Sequence, residues 1–330
     1  MRKLHKTQQH RIYSVITNKL ETSSEPSGQL DNAASADNDV IVEELLPPVN
    51  EFKRFVRVFF HRKIVLVGFI MVIAILILAA FASFIAPFDP NKQDLMNSLA
   101  DPNGTNLLGT DALGRDLLSR IIHGTRVALA VGVSTVFVSA AVGTVIGLIA
   151  GYAEGVLQSV IMRLTDALIS IPNLILAIII ARILQIGVAG VVLAMSISLL
   201  PGYIRLINGQ VMSLKQNDYV LVARAMGAKK TRIMFRHILP NCVSPLIVQM
   251  TMMIGISILI EAALSFLGLG ITPPTPAWGS LAYDGYRFLL NKPLLSIAPG
   301  IAIMILAFSF NMVGDGLRDA LDPKLRGMSS

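Results

Sequence analysis

The chain has 330 residues, of which 53% are apolar and only 15% are charged. Soluble domains carry about a quarter charged residues, so this composition excludes an ordinary soluble protein and predicts an integral membrane protein. The net charge of +7 does not indicate nucleic-acid binding, because the cations cluster beside apolar runs, as they do in loops that set membrane topology. The single cysteine, Cys242, excludes an internal disulfide and a cysteine metal site.

The first segment, residues 1–50, predicts no membrane span. Its first residues are cationic, but no apolar stretch follows them, so the pattern is not that of a cleavable signal peptide. Residues 21–50 are rich in Ser, Asn, Asp, Pro and Ala. Such a composition cannot bury a core, and we expect residues 1–50 to be a disordered cytoplasmic tail.

The second segment, residues 51–126, predicts a first transmembrane helix and an external part. Residues 64–86 contain 23 uncharged positions, enough for one span at about 1.5 Å rise per residue. Five Lys or Arg residues precede this run and predict a cytoplasmic N-terminus. The stretch TDALGRDLLSRIIHG then predicts a separate interfacial helix on the outer surface, ending at Gly124. Its apolar face consists of Leu113, Leu117, Leu118, Ile121 and Ile122.

The third segment, residues 127–330, predicts the five-helix core of an all-α polytopic membrane protein. Sixteen cations beyond residue 50 fall on the predicted inside and seven on the outside, which supports six spans with both termini in the cytoplasm. Pro172, Pro201 and Pro299 interrupt spans; kinks are the favoured interpretation and hinges the alternative. The predicted spans of this segment cover residues 127–152, 159–184, 188–212, 245–269 and 294–313.

A basic island, residues 217–241 (NDYVLVARAMGAKKTRIMFRHILPN), separates two apolar runs. It predicts a buried-type helix with Asp218 as its N-cap, ended at Gly227 in a left-handed turn. A second short helix is expected to start near Lys229 and to end before Pro240. The cations keep this second part out of the lipid. We call residues 217–241 the elbow, a helix–glycine–helix projection into the cytoplasm that can dock a partner.

The elbow resembles the coupling loop of ABC-importer permeases, whose pattern is Glu-Ala-Ala, three residues, Gly, about ten residues and Leu-Pro. Ala223, Gly227, Leu239 and Pro240 match it, whereas Leu221 and Val222 replace the Glu and the first Ala. The positive-inside rule explains the cations of the elbow but not these spaced residues. The resemblance implies that an ATPase subunit contacts Asp218, Tyr219, Ala223, Arg224, Ala225, Gly227, Ala228, Arg232, Leu239 and Pro240.

Four further stretches resemble the C-type permease of dipeptide and oligopeptide ABC importers. They are IAPFDPN (85–91), LLGTDALGRDLLSR (107–120), EAALSFLGLGITPPTPAWG (261–279) and NMVGDGLRDALDPKLR (311–326). The resemblance covers about residues 52–326 and implies a type I ABC importer permease fold in a bacterial plasma membrane. It implies as partners a homologous second permease subunit, two ATPase subunits and an extracytoplasmic peptide-binding protein. Importers of nickel, metal chelates or opines share these signatures and are the alternative.

The chain carries no sequence pattern for catalysis or for a cofactor. No Gly-Lys pair occurs, so a phosphate-binding P-loop cannot be drawn, and HExxH and GxSxG are absent from the sequence. We therefore expect no enzymatic activity and place ATP hydrolysis in separate subunits. An autonomous secondary transporter would predict internal repeats and more intramembrane charges. A scaffold without transport would leave an intramembrane carboxylate unexplained.

Three residues are candidates for the translocation path or its gate. Glu261 lies inside a predicted span, where an unpaired carboxylate is costly; a gate and a structural hydrogen-bond acceptor are equally favoured. Asp166 follows Arg163 by three positions, and a local ion pair is favoured over substrate contact. Trp278 lies in an outer loop, where an aromatic belt is favoured over contact with the binding protein.

Overall fold

The computed structural model describes residues 51–153, 155–184 and 187–321; the predicted tail, residues 1–50, lies outside them. Most of the described chain belongs to one compact unit, Arg54–Ser330. Its helices are α1 (Glu51–His61), α2 (Lys63–Ala80), α3 (Leu117–Tyr152), α4 (Val156–Ile169), α5 (Asn173–Leu184), α6 (Gly187–Leu214), α7 (Asp218–Ala225), α8 (Lys230–Phe266), α9 (Trp278–Tyr286) and α10 (Leu294–Leu321), with short turns at Ala82–Ile85 and Leu95–Asn97.

The spans confirm the predicted all-α membrane fold. Among the described residues, α2, α3, α6, α8 and α10 are long and apolar enough to cross a membrane. The pair α4 and α5 is bent by 94° and makes a sixth span if the two helices cross as one. Pro172 stands at this bend, where its missing N–H and its restriction on Ile171 end α4. Pro201 and Pro299 lie inside continuous helices instead.

The prediction of a separate interfacial helix that ends at Gly124 is wrong. Helix α3 begins at Leu117 and runs through Gly124 to Tyr152, with Leu113 in the loop before it. Asp116 caps the helix by accepting a hydrogen bond from the Ser119 N–H at 2.8 Å. Gly124 serves close packing rather than helix termination, because a Cβ there would lie 2.5 Å from the Trp278 ring.

The centre of the fold is the contact between α3 and α6. Gly147 of α3 lies against Ile207 of α6, so a Cβ on that glycine would come within 2.8 Å of the Ile207 Cβ. Small residues at such positions let transmembrane backbones approach closely. Hydroxyl groups add hydrogen bonds across the seam: the Ser139 Oγ lies 3.0 Å from the Ser196 carbonyl oxygen, and the Ser196 Oγ 3.2 Å from the Thr135 carbonyl oxygen.

Helix α2 is held at both of its ends. At the first end, Arg62 forms a 2.9 Å ion pair with Asp319 of α10. At the other end, the Arg126 guanidinium of α3 donates hydrogen bonds to the carbonyl oxygens of Ala79 and Ala80 and to the Ser83 hydroxyl. A cation at the carboxyl end of a helix satisfies carbonyl groups that have no partner within the helix. Arg126 therefore fastens α3 to the outer end of α2.

Candidate functional site

The glycine of the elbow closes helix α7 with a two-bond terminus. Gly227 has φ +79°, its N–H donates to the Arg224 carbonyl at 3.0 Å, and the Ala228 N–H donates to the Ala223 carbonyl at 3.1 Å. This is the Schellman arrangement, in which a left-handed residue satisfies the last carbonyls of a helix. The spacing of Ala223 and Gly227 thus has a geometric reason. Apart from its chain neighbours, no atom of the described residues lies within 4 Å of a Cβ built on Gly227, so conformation rather than space requires glycine there.

Two details of the elbow differ from the sequence-based expectations. Asn217, not Asp218, is the N-cap residue, and its side chain makes no capping hydrogen bond. Asp218 lies in the first turn of α7, where an acid interacts favourably with the helix dipole. The second helix does not end before Pro240 but continues as α8 from Lys230 to Phe266. A π-helical turn over Met234–Ile238 precedes Pro240, so the proline falls near the start of a new α-helical register and its missing N–H is tolerated.

The elbow is anchored to the inner ends of the core helices. Val220, Ile233 and Ile238 are buried, with 4%, 1% and 0% of their surface exposed. They pack in one cluster with Ile207 and Val211 of α6 and with residues of α3 and α8. A force applied to the elbow therefore acts directly on the membrane-spanning helices.

The free surface of the elbow carries exposed apolar side chains beside cations. None of the ten predicted ATPase contacts is fully buried, but Ala228 and Leu239 are partly buried against the cluster that anchors the elbow. Four further large apolar residues lie among them and were not predicted as ATPase contacts from the sequence: Leu221 and Val222, which replace the Glu and Ala of the family pattern, and Met226 and Phe235, which the pattern does not specify. Exposed apolar patches of this kind occur at sites of contact with other proteins or with the membrane. The exposed large apolar residues of the elbow are thus the predicted contact Tyr219 together with Leu221, Val222, Met226 and Phe235.

Glu261 is part of a buried hydrogen-bond chain at the outer end of α8. Its side chain is 1% exposed and accepts a hydrogen bond from the Ser265 hydroxyl at 2.7 Å. The Ser265 oxygen in turn accepts the Ile271 N–H at 3.2 Å. A second Schellman terminus follows, with Gly268 at φ +74° and the Leu269 N–H donating to the Leu264 carbonyl at 2.9 Å. The carboxyl group is thus linked to the loop that leaves the helix.

The predicted local pair of Asp166 with Arg163 is wrong. Asp166 of α4 pairs with Arg205 of α6, and both side chains are more than half exposed. Spacing along a helix makes a local pair possible, but the packing of α4 against α6 brings a second guanidinium group into reach. Asp166 therefore joins two helices.

Trp278 is not part of an aromatic belt, because only 3% of its surface is exposed. Its Nε1–H donates to the Ile121 carbonyl at 2.9 Å, which joins the start of α9 to α3. Gly279 packs against the Ala262 carbonyl, next to Glu261. Of the three predicted path residues, Trp278 and Glu261 thus lie at the same contact between α9 and α8. Asp166 lies elsewhere and pairs with Arg205.

The external motif over residues 107–120 folds around Asp111. One carboxylate oxygen accepts the N–H groups of Leu113 and Arg115, both at 2.9 Å, and the other accepts the Arg115 Nε–H at 2.7 Å. Charge-assisted bonds of this kind are roughly twice as strong as neutral ones. The loop therefore carries its own support, independent of a partner protein.

The motif over residues 85–91 is fastened to this loop. The Phe88 N–H donates to the Ser119 hydroxyl at 3.0 Å, and the Arg120 Nη1–H donates to the Pro90 carbonyl at 3.0 Å. Together with the Trp278 joint, these bonds connect three motifs that are distant in sequence. We call residues 85–126 and 267–293 the outer cap. Within residues 51–153, 155–184 and 187–321, no group of three His, Cys, Asp or Glu side chains could hold a metal ion.

Comparison with protein families matches two parts of the chain. Residues 143–327 match the family described as binding-protein-dependent transport system inner membrane component. Residues 50–102 match the N-terminal transmembrane domain of oligopeptide transport permease C. The two matches cover the apolar segments on both sides of the external motif over residues 107–120.

Three named relatives align over most of the chain. The dipeptide transport system permease protein DppC of Haemophilus influenzae is 43% identical over 84% of this chain and 97% of its own length. The di/tripeptide transport system permease protein DppC of Pseudomonas aeruginosa is 42% identical over 83% of this chain and 92% of its own. The glutathione transport system permease protein GsiD of Pectobacterium atrosepticum is 41% identical, again over 83% and 92%.

A solved structure shares the fold. The MetNI methionine ABC transporter in an inward-facing conformation aligns with a TM-score of 0.50 at 18% identity, over 62% of this chain and 98% of the other. At this identity the likeness concerns the arrangement of the helices, which is that of a type I ABC importer permease.

Proposed function

Because the chain belongs to the family of binding-protein-dependent transport system inner membrane components, we propose that it is a permease subunit of an ATP-driven ABC importer for dipeptides and oligopeptides. It is a multi-pass protein of the bacterial inner membrane. The observation that carries the proposal is the anchored elbow, which offers exposed apolar side chains to a partner and is packed on the core helices. The names of the relatives favour peptides over nickel, metal chelates or opines.

The proposed mechanism is mechanical coupling. Two separate ATPase subunits dock on this elbow and on the elbow of a homologous second permease, and their ATP-driven closure displaces both elbows. Packed helices move as bodies rather than deforming continuously. Displacement of Val220, Ile233 and Ile238 is therefore passed to α3, α6 and α8, which together with the second permease line the path. A binding protein delivers the peptide on the outer side.

In this mechanism each of the three segments of the chain has its own role. Residues 127–330 form half of the translocation path and carry the elbow, residues 51–126 add the first span and the external motifs, and residues 1–50 form a cytoplasmic tail. ATP is hydrolysed in the partner subunits.

The elbow is tested by two substitutions at Gly227 in the complete importer, reconstituted in lipid vesicles with its ATPases and binding protein. Gly227→Arg introduces a bulky cation at a left-handed position, so ATP-dependent uptake of a labelled dipeptide should fall to less than a tenth while the protein remains inserted. Gly227→Asn should retain most of the uptake, because asparagine tolerates this conformation.

Normal uptake by the Gly227→Arg variant would remove the elbow from the mechanism. Uptake by the chain reconstituted alone, without ATPases or ATP, would contradict the importer itself and favour an autonomous transporter.

A further inference from the structure

A recess of about 210 Å³ opens in the outer cap between the loop carrying Asp111 and Arg115 and the end of α9. Its walls are mostly aliphatic or aromatic, with Leu117, Leu281 and Phe288 among them. Asp284 and Arg287 line it from α9 and the residue that follows this helix. An apolar cavity with a few convergent polar groups is the usual form of a small-molecule site.

Arg115 supplies hydrogen-bond donors to this recess. Its side chain is almost fully buried, and among the described residues only its Nε–H has a hydrogen-bond partner, the Asp111 carboxylate. Asp111 itself is occupied by that bond and by two backbone N–H groups, and Arg120 lies 3.7 Å from the same carboxylate. Two buried guanidinium groups thus share one carboxylate. A buried charge is costly unless it is fully paired. Asp284 adds a second carboxylate near both guanidinium groups, and the Nη atoms of Arg115, which have no hydrogen-bond partner among the described residues, can donate to a bound ligand.

Asp284 and Arg287 add one charge of each sign at the mouth of the recess. Within the part of the chain that the structure describes, neither forms an ion pair. The Arg287 guanidinium lies 5.5 Å from the centre of the Tyr283 ring. Partial burial raises the pKa of the Asp284 carboxyl, and the nearby Arg115 and Arg120 oppose that rise. The recess therefore offers guanidinium donors and a separate carboxylate acceptor.

We propose that the recess binds a short zwitterionic peptide with aliphatic side chains, such as a dipeptide. Its carboxylate would pair with Arg115 and Arg287, its ammonium group with Asp284, and its side chains would lie against Leu117 and Leu281. The volume of about 210 Å³ equals that of about seven water molecules at about 30 Å³ each, which suits a dipeptide. The inference rests on the proposed function, for which it supplies a peptide-contacting site on the permease itself.

The position of the recess gives this site its role. It lies in the outer cap, on the side from which a binding protein would deliver its cargo, and apart from the buried Glu261 chain. The joint made by Trp278, Ile121 and Gly124 holds α9 against α3, so the two walls of the recess keep their separation. A peptide bound there would meet the permease before it enters the path between the helices.

The test measures binding of labelled alanylalanine by equilibrium dialysis to the purified importer in the absence of the binding protein. Saturable binding is expected, weakened at least tenfold when the peptide is C-terminally amidated and at least tenfold when it is N-acetylated. Asp284→Asn and Arg287→Gln change exposed side chains and should each weaken binding of the unmodified peptide about tenfold. Asp284→Asn should also remove the discrimination against the acetylated peptide.

Matched controls are Asp101→Asn and Lys292→Gln, which break an ion pair elsewhere in the outer cap and should leave binding unchanged. The proposal is overturned if no saturable binding occurs, if the amidated and acetylated peptides bind as tightly, or if the Asp284 and Arg287 variants bind normally. It is equally overturned if those variants weaken the association of the binding protein with the importer but leave peptide binding unchanged. Uptake by the complete importer, measured in parallel, distinguishes failure of this proposal from failure of the proposed function. If peptide is taken up but does not bind at the recess, only the proposed recess site is wrong.

Discussion

A buried carboxyl group such as that of Glu261 must be matched by hydrogen bonds, since an unpaired charge inside a membrane is costly. Ser265 meets this need within the same helix, and the serine oxygen then holds the Ile271 N–H. The Ser265 side chain thus stabilises both the end of α8 and the loop that follows this helix. The geometry favours a structural role of Glu261 at the outer joint over direct contact with a substrate.

Two substitutions of Glu261 separate these roles. Glu261→Gln keeps an oxygen that accepts the Ser265 hydroxyl, so the thermal unfolding of the purified protein should change little. Glu261→Leu leaves the buried hydroxyl without its acceptor and should cost about 1–3 kcal/mol of stability. Peptide uptake should follow stability in both variants. A Gln variant that melts normally but no longer transports would instead assign Glu261 to the translocation path.

At the scale of single elements, the ends of the helices decide how this chain is joined. Gly227 and Gly268 close α7 and α8 with the same two-bond terminus, although one lies in the elbow and the other in the outer cap. Helix α2 has no such glycine at its outer end, and Arg126 of another helix satisfies its carbonyl groups instead. This end of α2 consequently depends on a tertiary contact.

Replacement of Arg126 by Met tests this contact. The variant loses three hydrogen bonds between α3 and the end of α2, and because the side chain is exposed we expect a loss of only about 1–2 kcal/mol. The measurement is thermal unfolding in detergent. Arg182→Met is the matched control, since Arg182 is also exposed and forms no ion pair or side-chain hydrogen bond within the described ranges. Equal melting of the two variants would contradict the proposed clamp.

At the scale of the whole molecule, the α3–α6 seam connects the elbow to the outer cap. Three glycines of α3 face Tyr203, Ile207 and Val211 of α6 at distances that leave no room for a side chain. The inner end of this seam packs on the elbow, and the outer end of α3 holds Trp278 and Arg126. Motion applied to the elbow therefore reaches the outer cap through one closely packed pair of helices.

Gly147→Ala is the sharpest test of this seam. The added Cβ would come within 2.9 Å of the Ile204 carbonyl oxygen, so the two helices must separate, at a cost of about 1–3 kcal/mol. Gly202→Ala on the facing helix is the control: it makes the same change in a helix, but outside its own helix no atom of the described residues lies within 4 Å of the added Cβ. We expect lower thermal stability and reduced uptake only for the Gly147 variant. Identical behaviour of the two alanine variants would show that the seam is not tightly packed.

The apolar runs, the cation asymmetry and the elbow glycine were all predictable from the sequence, because each depends on local chemistry. A stretch without charges needs lipid or protein around it, and a left-handed residue after a helix is most often glycine. The family motifs added the expectation that an ATPase subunit contacts the elbow. The spacing of Ala223 and Gly227, in particular, is the one required by the two hydrogen bonds that end helix α7.

Only the tertiary structure decided which distant groups meet. It paired Asp166 with Arg205, continued α8 through Pro240, buried Trp278 against Ile121, and placed Arg115 and Asp284 around one recess. Local patterns state what a side chain needs, such as a hydrogen-bond acceptor, a counter-charge or space. Which neighbour meets that need depends on how segments far apart in the sequence pack together, and no short stretch of sequence contains that information.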